Sequence, residues 1–204
     1  MLEAQDLAAR RGTSQLYEGL SFSVRDGVAL VVTGANGRGK TTLLRALAGL
    51  SEPAAGTIRL DGEAVRPFAA ILRRAVAFAG HAAALKDELT ARENLASLAA
   101  LAGADPSPAD IDAALDRVAL GPKRSLPARV LSQGQRRRIG LARLALVRRR
   151  LWILDEPVTA LDAEGTALLA GMLDAHLAGG GMAVAATHAP LAVDRSRMAS
   201  LSLD

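Results

Sequence analysis

Val28-Ala-Leu-Val-Val-Thr33, Gly34-Ala-Asn-Gly-Arg-Gly-Lys-Thr41 and Thr42-Leu-Leu-Arg-Ala-Leu-Ala-Gly-Leu50 follow one another without a break and read as strand, glycine loop and helix. Val28 to Val32 is a short, uninterrupted aliphatic run, the pattern of a parallel strand covered on both faces. Gly34, Gly37 and Gly39 permit positive φ and close approach of the backbone to an oxyanion, so successive N–H groups can converge on a phosphate where a helix begins. The GxxxxGKT pattern is complete, with Ala35, Asn36 and Arg38 filling the loop, Lys40 placed to reach the β- and γ-phosphates and the Thr41 hydroxyl suited to Mg²⁺. Thr42 continues a helix whose Leu43, Leu44 and Leu47 can face the sheet. This stretch predicts an α/β fold that carries a nucleoside triphosphate at the end of a buried strand.

Outward from the loop, Leu2 to Ala9 and Leu20 to Val24 read as strands of an antiparallel side sheet, followed by an Asp-Gly turn at Asp26 and Gly27. Thr57 to Leu60 and Ala75 to Ala79 are further short strands. From Leu89 to Leu120 the apolar period becomes helical, with Ser107 placed to cap a helix that has Pro108 at its first position. Ala175 to Val193 contains no Asp, Glu, Lys or Arg. It does not read as a membrane span, because Gly179 to Gly181 and Pro190 interrupt it and Met182 to Thr187 reads as a buried strand.

A length of 204 residues is consistent with one domain or a domain plus a subdomain. With no cysteine, disulfide frameworks, thiolate metal sites and thiol nucleophiles are excluded. The first residues are acidic where a signal peptide would be basic and then apolar, so export of the chain is not expected. Net charge is +4, with arginines grouped at Arg136 to Arg138 and Arg148 to Arg150. Aromatic residues make up only 2%, too few for the stacking platforms of single-strand readers, so the arginines read as a solvated helix face or one near anionic lipid rather than a nucleic-acid groove.

A second constellation lies downstream. Ser132-Gln133-Gly134-Gln135 opens a long helix with free N–H groups and a hydroxyl, another anion-binding end. Leu151-Trp-Ile-Leu-Asp-Glu156 is then an apolar strand ending in two acids. Asp155 is suited to hold Mg²⁺ through water, and Glu156 to polarise an attacking water. Hydrolysis of a phosphoanhydride is mostly positioning and charge neutralisation, so a phosphate loop, a metal acid and a water-orienting acid suffice for it.

These residues together resemble the ATPase subunits of ABC transporters over nearly the whole chain. By that likeness Gly34 to Thr41 is the Walker A loop, Leu131 to Gln135 the signature and Leu151 to Glu156 the Walker B strand. Asp162 in Ala160-Leu-Asp162 belongs to the D-loop, and His188 is the switch histidine. The resemblance implies a P-loop NTPase of the ABC type: a mixed central sheet, an antiparallel side sheet and a helical subdomain, with 1–87 and 150–204 as core and 88–149 as helical subdomain. It also implies ATP and Mg²⁺ as cofactors, and a homodimer paired head to tail in which the signature of one chain closes on ATP held by the other.

Two positions depart from the family pattern. His81 stands where the Q-loop glutamine is expected, and Arg11 where an aromatic residue stacks on adenine, an arginine plane being a possible substitute. These features, with the single-glycine signature and the short length, resemble the ATP-binding subunits of the haem exporter of cytochrome c maturation. That likeness implies a peripheral subunit on the cytoplasmic face of the inner membrane, bound to integral transporter subunits through a surface around His81 to Glu93. Its hydrolysis would drive release of a haem-loaded chaperone. His81, His176 and His188 are not spaced as a haem pair, so direct haem binding is not expected. The alternatives are an ABC ATPase serving another exported cargo, a soluble nucleic-acid-associated ABC protein and a non-hydrolysing nucleotide sensor.

Overall fold

The computed structural model describes residues 1–81 and 83–203. The chain forms two compact units, one of Met1–Phe78, Arg149–Pro157 and Leu173–Asp204, the other of Ala79–Arg148 and Val158–Met172.

The first unit holds β1 (Leu2–Arg11), β2 (Ser14–Val24), β3 (Ala29–Thr33), α1 (Lys40–Leu47), β4 (Ala55–Leu60), β5 (Glu63–Ala64), α2 (Ala70–Ala75) and β6 (Val76–Ala79), and then β7 (Leu151–Asp155), β8 (Met182–Ala186) and β9 (Met198–Ser202). Strands β2-β1-β4-β5 form an antiparallel sheet, and β6-β7-β8-β3-β9 a second, five-stranded one. In the second sheet β3 pairs in parallel with both β8 and β9, and β7 in parallel with β8. Every residue of β7 and β8 is buried, as a strand covered on both faces requires. Leu43, Leu44 and Leu47 of α1 pack with Leu30, Val32, Ile153 and Val184 of this sheet and with Leu2, Leu7 and Ile58 of the other in one core.

Across the parallel sheet Val32 is in register with Ala186, and Ala186 with Asp155. The three neighbouring strands therefore end at one level on the same edge, where open parallel sheets bind ligands.

β1 and β2 run longer than their apolar patterns predict, to Arg11 and from Ser14, because they pair as a hairpin whose outer end is solvated. Strand β9 has no counterpart in the sequence reading. Its Met-Ala-Ser-Leu-Ser is half exposed and becomes a strand through its ladder with β3 at the sheet edge. Arg150, read as part of a solvated cluster, is exposed and also braces the fold, donating to both carboxylate oxygens of Asp26 at 2.7 and 2.6 Å and to Asp61 at 2.6 Å.

His176 stacks on Trp152 with ring centroids 4.0 Å apart, and its Nε2 lies 3.0 Å from the Met182 carbonyl. Gly181 is required here, since a Cβ would fall 2.3 Å from the imidazole. Burial pushes the His176 pKa below its ordinary 6.5, with the Met182 carbonyl opposing. A base depressed in the folded state leaves stability intact above the unfolded value and erodes it as pH falls from there through the folded value. Wild type is accordingly expected to lose more of its urea midpoint between pH 7.5 and 5.5 than His176→Phe does. Equal losses in the two proteins would rule His176 out as the source.

The second unit contains α3 (Ala91–Leu101), α4 (Pro108–Arg117), α5 (Gln133–Val147) and the first part of α6 (Ala163–Ala178), which extends into the first unit. Thr90, Ser107 and Ser132 each close a capping box at the start of α3, α4 and α5, which explains the helix starts. Leu95, Leu115, Val118, Leu120, Ile139 and Ala142 fill its core. Buried Asn94 donates to the carbonyls of Lys86, Leu89 and Thr90 and accepts from the Lys86 amide, fixing the loop that enters α3. The uncharged stretch after Ala175 resolves into the end of α6, a glycine turn with Gly180 at φ 81°, and β8. Among the described residues no helix is long and apolar enough to cross a membrane.

Candidate nucleotide site

β3 delivers the glycine loop, and Gly39, at φ 97°, stands immediately before α1. A side chain there would be strained by φ and would meet Leu16 Cβ at 3.0 Å and Tyr17 Cδ1 at 3.2 Å, so the loop needs glycine for close packing against β2 as well as for its turn. Lys40, only 8% exposed, donates from Nζ to the carbonyls of Gly34 at 2.7 Å and Ala35 at 3.2 Å. These bonds curl the loop around the ammonium group.

Strand β7 ends at Asp155, 4% exposed, whose Oδ1 accepts the Thr41 hydroxyl at 3.2 Å. The next residue, Glu156, has φ 47°, a backbone cost tolerated where a side chain must be aimed, and its amide donates to Ala186 O at 2.8 Å. Beyond β8, Thr187 Oγ1 donates to Ala189 O at 3.0 Å and accepts from Ala189 N at 3.1 Å, pinning the turn that carries His188. His188 Nε2 lies 3.1 Å from Lys40 Nζ, 2.9 Å from Asn36 Oδ1 and 3.5 Å from Glu156 Oε1. Three adjacent strands thus gather a cation, a metal-type acid with its hydroxyl partner, a second acid and an imidazole. Such a group can neutralise a polyphosphate and orient a water toward its terminal phosphorus.

The second unit holds Ser132 to Gln135, Asp162 and His81. Ser132 Oγ accepts from Gln135 N at 3.2 Å while Gln135 Oε1 accepts from Ser132 N at 3.1 Å, and Gln133 begins α5. Gly134 is obligatory because a Cβ would lie 2.6 Å from the Ala160 carbonyl. Asp162 Oδ1 accepts from Gly165 N at 2.9 Å, and this bond, then the paired Arg138, holds its carboxyl below the usual range. Arg138 also reaches Glu164 at 2.9 Å.

Arg137 and Arg138 are 7% and 5% exposed, contrary to their reading as a solvated face: Arg138 joins α5 to the Asp162 segment, and Arg137 donates to the carbonyls of Gly80 and His81. The helical period of α5 puts both arginines on the face of buried Leu141 and Ala142, four residues on, a signal of burial that does not name their partners. His81 itself is exposed; Ala82, within the expected partner surface, lies outside the described residues. Arg11 is exposed on the hairpin where β1 turns into β2, opposite Ser14.

The family model described as ABC transporter matches residues 17–159. The chain is 47% identical to the cytochrome c biogenesis ATP-binding export protein CcmA of Pseudomonas aeruginosa, covering 97% of each chain. It is 50% identical to the protein of that name in Aromatoleum aromaticum, over 95% of this chain and 92% of the relative. Among solved structures it is similar to a putative ABC transporter ATP-binding protein from Pyrococcus furiosus, with TM-score 0.83 at 24% identity over 99% of this chain and 96% of that one. It is also similar to an ATP-binding cassette captured as a dimer after hydrolysis with ADP and phosphate bound, with TM-score 0.79 at 21% identity over 93% and 88%. With the phosphate loop, the paired acids and the histidine turn assembled on one sheet edge and these matches spanning its length, the chain belongs to the ABC transporter ATP-binding family, in the branch of the cytochrome c biogenesis ATP-binding export proteins.

Proposed function

We propose that this chain is the ATP-hydrolysing subunit of an ABC export complex of cytochrome c biogenesis. The observation that carries the reading is the alignment of Val32, Ala186 and Asp155 at one level, which brings Lys40, Asp155, Glu156 and His188 onto a single edge. Lys40 and the amides of Gly34 to Thr42 hold the β- and γ-phosphates. Glu156 accepts a proton from the attacking water, and His188, beside both Glu156 and Lys40, donates to the γ-phosphate side.

Mg²⁺ fits the oxygen donors Thr41 and Asp155, 3.2 Å apart, since this ion takes one or two protein oxygens together with phosphate and water. When bound it would neutralise charge on the β- and γ-phosphates.

Ser132, Gln133, Gly134 and Gln135 form a helix start whose amides suit an anion, and in a head-to-tail homodimer they would face the triphosphate held by the second copy. Asp162 would sit at the same junction, and His81 at the position that senses the membrane partner. The names of the curated relatives support an export role in cytochrome c biogenesis and therefore integral membrane subunits of the haem-exporter type. The subunit then sits peripherally on the cytoplasmic face of the inner membrane, and its hydrolysis drives release of haem-loaded chaperone.

Complementation tests this reading. In a bacterium deleted for its own cytochrome c biogenesis ATPase, the chain, expressed with its cognate integral subunits, is expected to co-sediment with membranes and restore covalent haem in c-type cytochromes. An active ATPase that leaves those cytochromes without haem would point to another cargo.

A further inference from the structure

The chain has three phenylalanines, one tyrosine and one tryptophan, and the structure accounts for every ring. Phe22 and Phe78 pack against the main core, and Trp152 is 5% exposed and stacked on His176. Tyr17 is 9% exposed beneath Gly39, with its hydroxyl buried without a partner and its pKa pushed by burial to about 12. Phe68 is 64% exposed, but its amide bonds to Gly49 O, beyond the last turn of the eight-residue α1. At 1.5 Å per residue that is roughly 12 Å from Lys40. The ring that reaches the phosphate-loop end is Tyr17, packed under Gly39 and buried there, so no exposed ring is presented to a base, and a second copy brings only the same five.

The direction of a bound nucleotide follows from the site. Glu156 and His188 mark the γ-phosphate end, so the nucleoside leaves on the opposite side of the loop, where Gly39 abuts Leu16 and Tyr17 at the start of β2. On that hairpin Gln15 is fully engaged, its Oε1 accepting from Arg10 Nε at 2.7 Å and its Nε2 donating to Tyr17 O at 2.8 Å. Leu16 offers only apolar surface. Arg10 is tied through Nε to Gln15 Oε1, which leaves Arg11 as the exposed arginine of this hairpin with no side-chain hydrogen bond or ion pair among the described residues. A guanidinium plane lies on the face of any base, and its donors find acceptors on purines and pyrimidines alike.

We propose that this catalytic site selects the triphosphate and is nearly indifferent to the base, taking purine and pyrimidine nucleoside triphosphates as one substrate class with Arg11 as the side chain that covers the base. The inference rests on the ATPase reading above. It differs from a site with an aromatic platform by the contribution of the stack, roughly 5- to 150-fold in affinity.

The test compares kcat/KM for the Mg²⁺ complexes of ATP, GTP, CTP and UTP in the purified membrane complex, with inorganic tripolyphosphate as a competitor of ATP. The four values are expected within about 5-fold of one another, and tripolyphosphate to inhibit at a concentration within about 10-fold of the KM for ATP. Arg11→Ala is expected to raise KM for all four alike, and Arg11→Tyr to lower it for ATP and GTP more than for CTP and UTP. A preference for ATP above about 50-fold, or an Arg11→Ala effect confined to ATP, would overturn the inference while leaving the ATPase reading intact. Hydrolysis of none of the four would overturn both.

Discussion

Glu156→Gln is expected to lower ATP turnover by about 10²- to 10⁴-fold while leaving nucleotide binding within a few-fold of wild type, the range by which a positioned general base accelerates proton transfer. The substitution keeps the shape of the side chain and its contact distance to His188 but replaces an acceptor carboxylate with an amide that cannot take a proton from water. The backbone at Glu156, φ 47° and tied by its amide to Ala186 O, aims the carboxylate whatever group it carries, so the folded state should tolerate the change. Single-turnover phosphate release in the membrane complex, alongside binding of a fluorescent nucleotide, separates chemistry from affinity. In the proposed head-to-tail homodimer, closure over two triphosphates would then no longer be reversed by hydrolysis, and a longer-lived ATP-bound dimer should accompany the loss. Turnover within a few-fold of wild type would remove Glu156 from the reaction.

The residues of this site were legible in the sequence because each stands at the end of a short apolar run that could only be a buried strand: Val28 to Val32 before the loop, Leu151 to Leu154 before the acids, Met182 to Thr187 before His188. A parallel sheet then places the ends of such strands on one edge without further information. Less legible was whatever depends on pairing rather than local pattern. β9 is a strand only because β3 presents a free edge, and the outer half of β2 is polar because its partner is a solvated hairpin arm. Arg137 and Arg138 looked like surface charge because nothing in their neighbourhood names the carbonyls of Gly80 and His81 or the acids Asp162 and Glu164, which lie 24 to 57 residues away. Burial of these two cations is compensated by such long-range partners, which a local reading cannot see. The adenine position is the converse case: the family resemblance implies an aromatic residue near Arg11, and only the placement of the five rings turns its absence there into an argument about base selectivity.

Lys40→Ala should remove both affinity and turnover, and it is the contrast with Glu156→Gln that makes the pair informative. Lys40 Nζ is the one ammonium in the loop, held at 2.7 Å from Gly34 O and 3.1 Å from His188 Nε2, so alanine withdraws the group that meets the β- and γ-phosphates and leaves their charge to backbone amides alone. A charge-assisted hydrogen bond contributes about 1.5–3 kcal/mol, equivalent to roughly 10- to 150-fold in Kd. Loss of a preorganised donor at the transferring phosphoryl group adds about 10²- to 10³-fold in kcat. Since Lys40 is buried and ties its own loop, the variant could lose the site by unfolding it, and Lys40→Arg distinguishes the two outcomes. It keeps the charge and loop bonding capacity, but its larger planar head must fit where Lys40 Nζ already touches His188 Nε2 at 3.1 Å. Thermal unfolding of apo Lys40→Ala and Lys40→Arg close to wild type, with weak nucleotide binding in the first and impaired turnover in both, is the expected pattern. Wild-type affinity and hydrolysis in Lys40→Ala would mean that the triphosphate is held elsewhere, and the assignments of Asp155, Glu156 and His188 would fall with it.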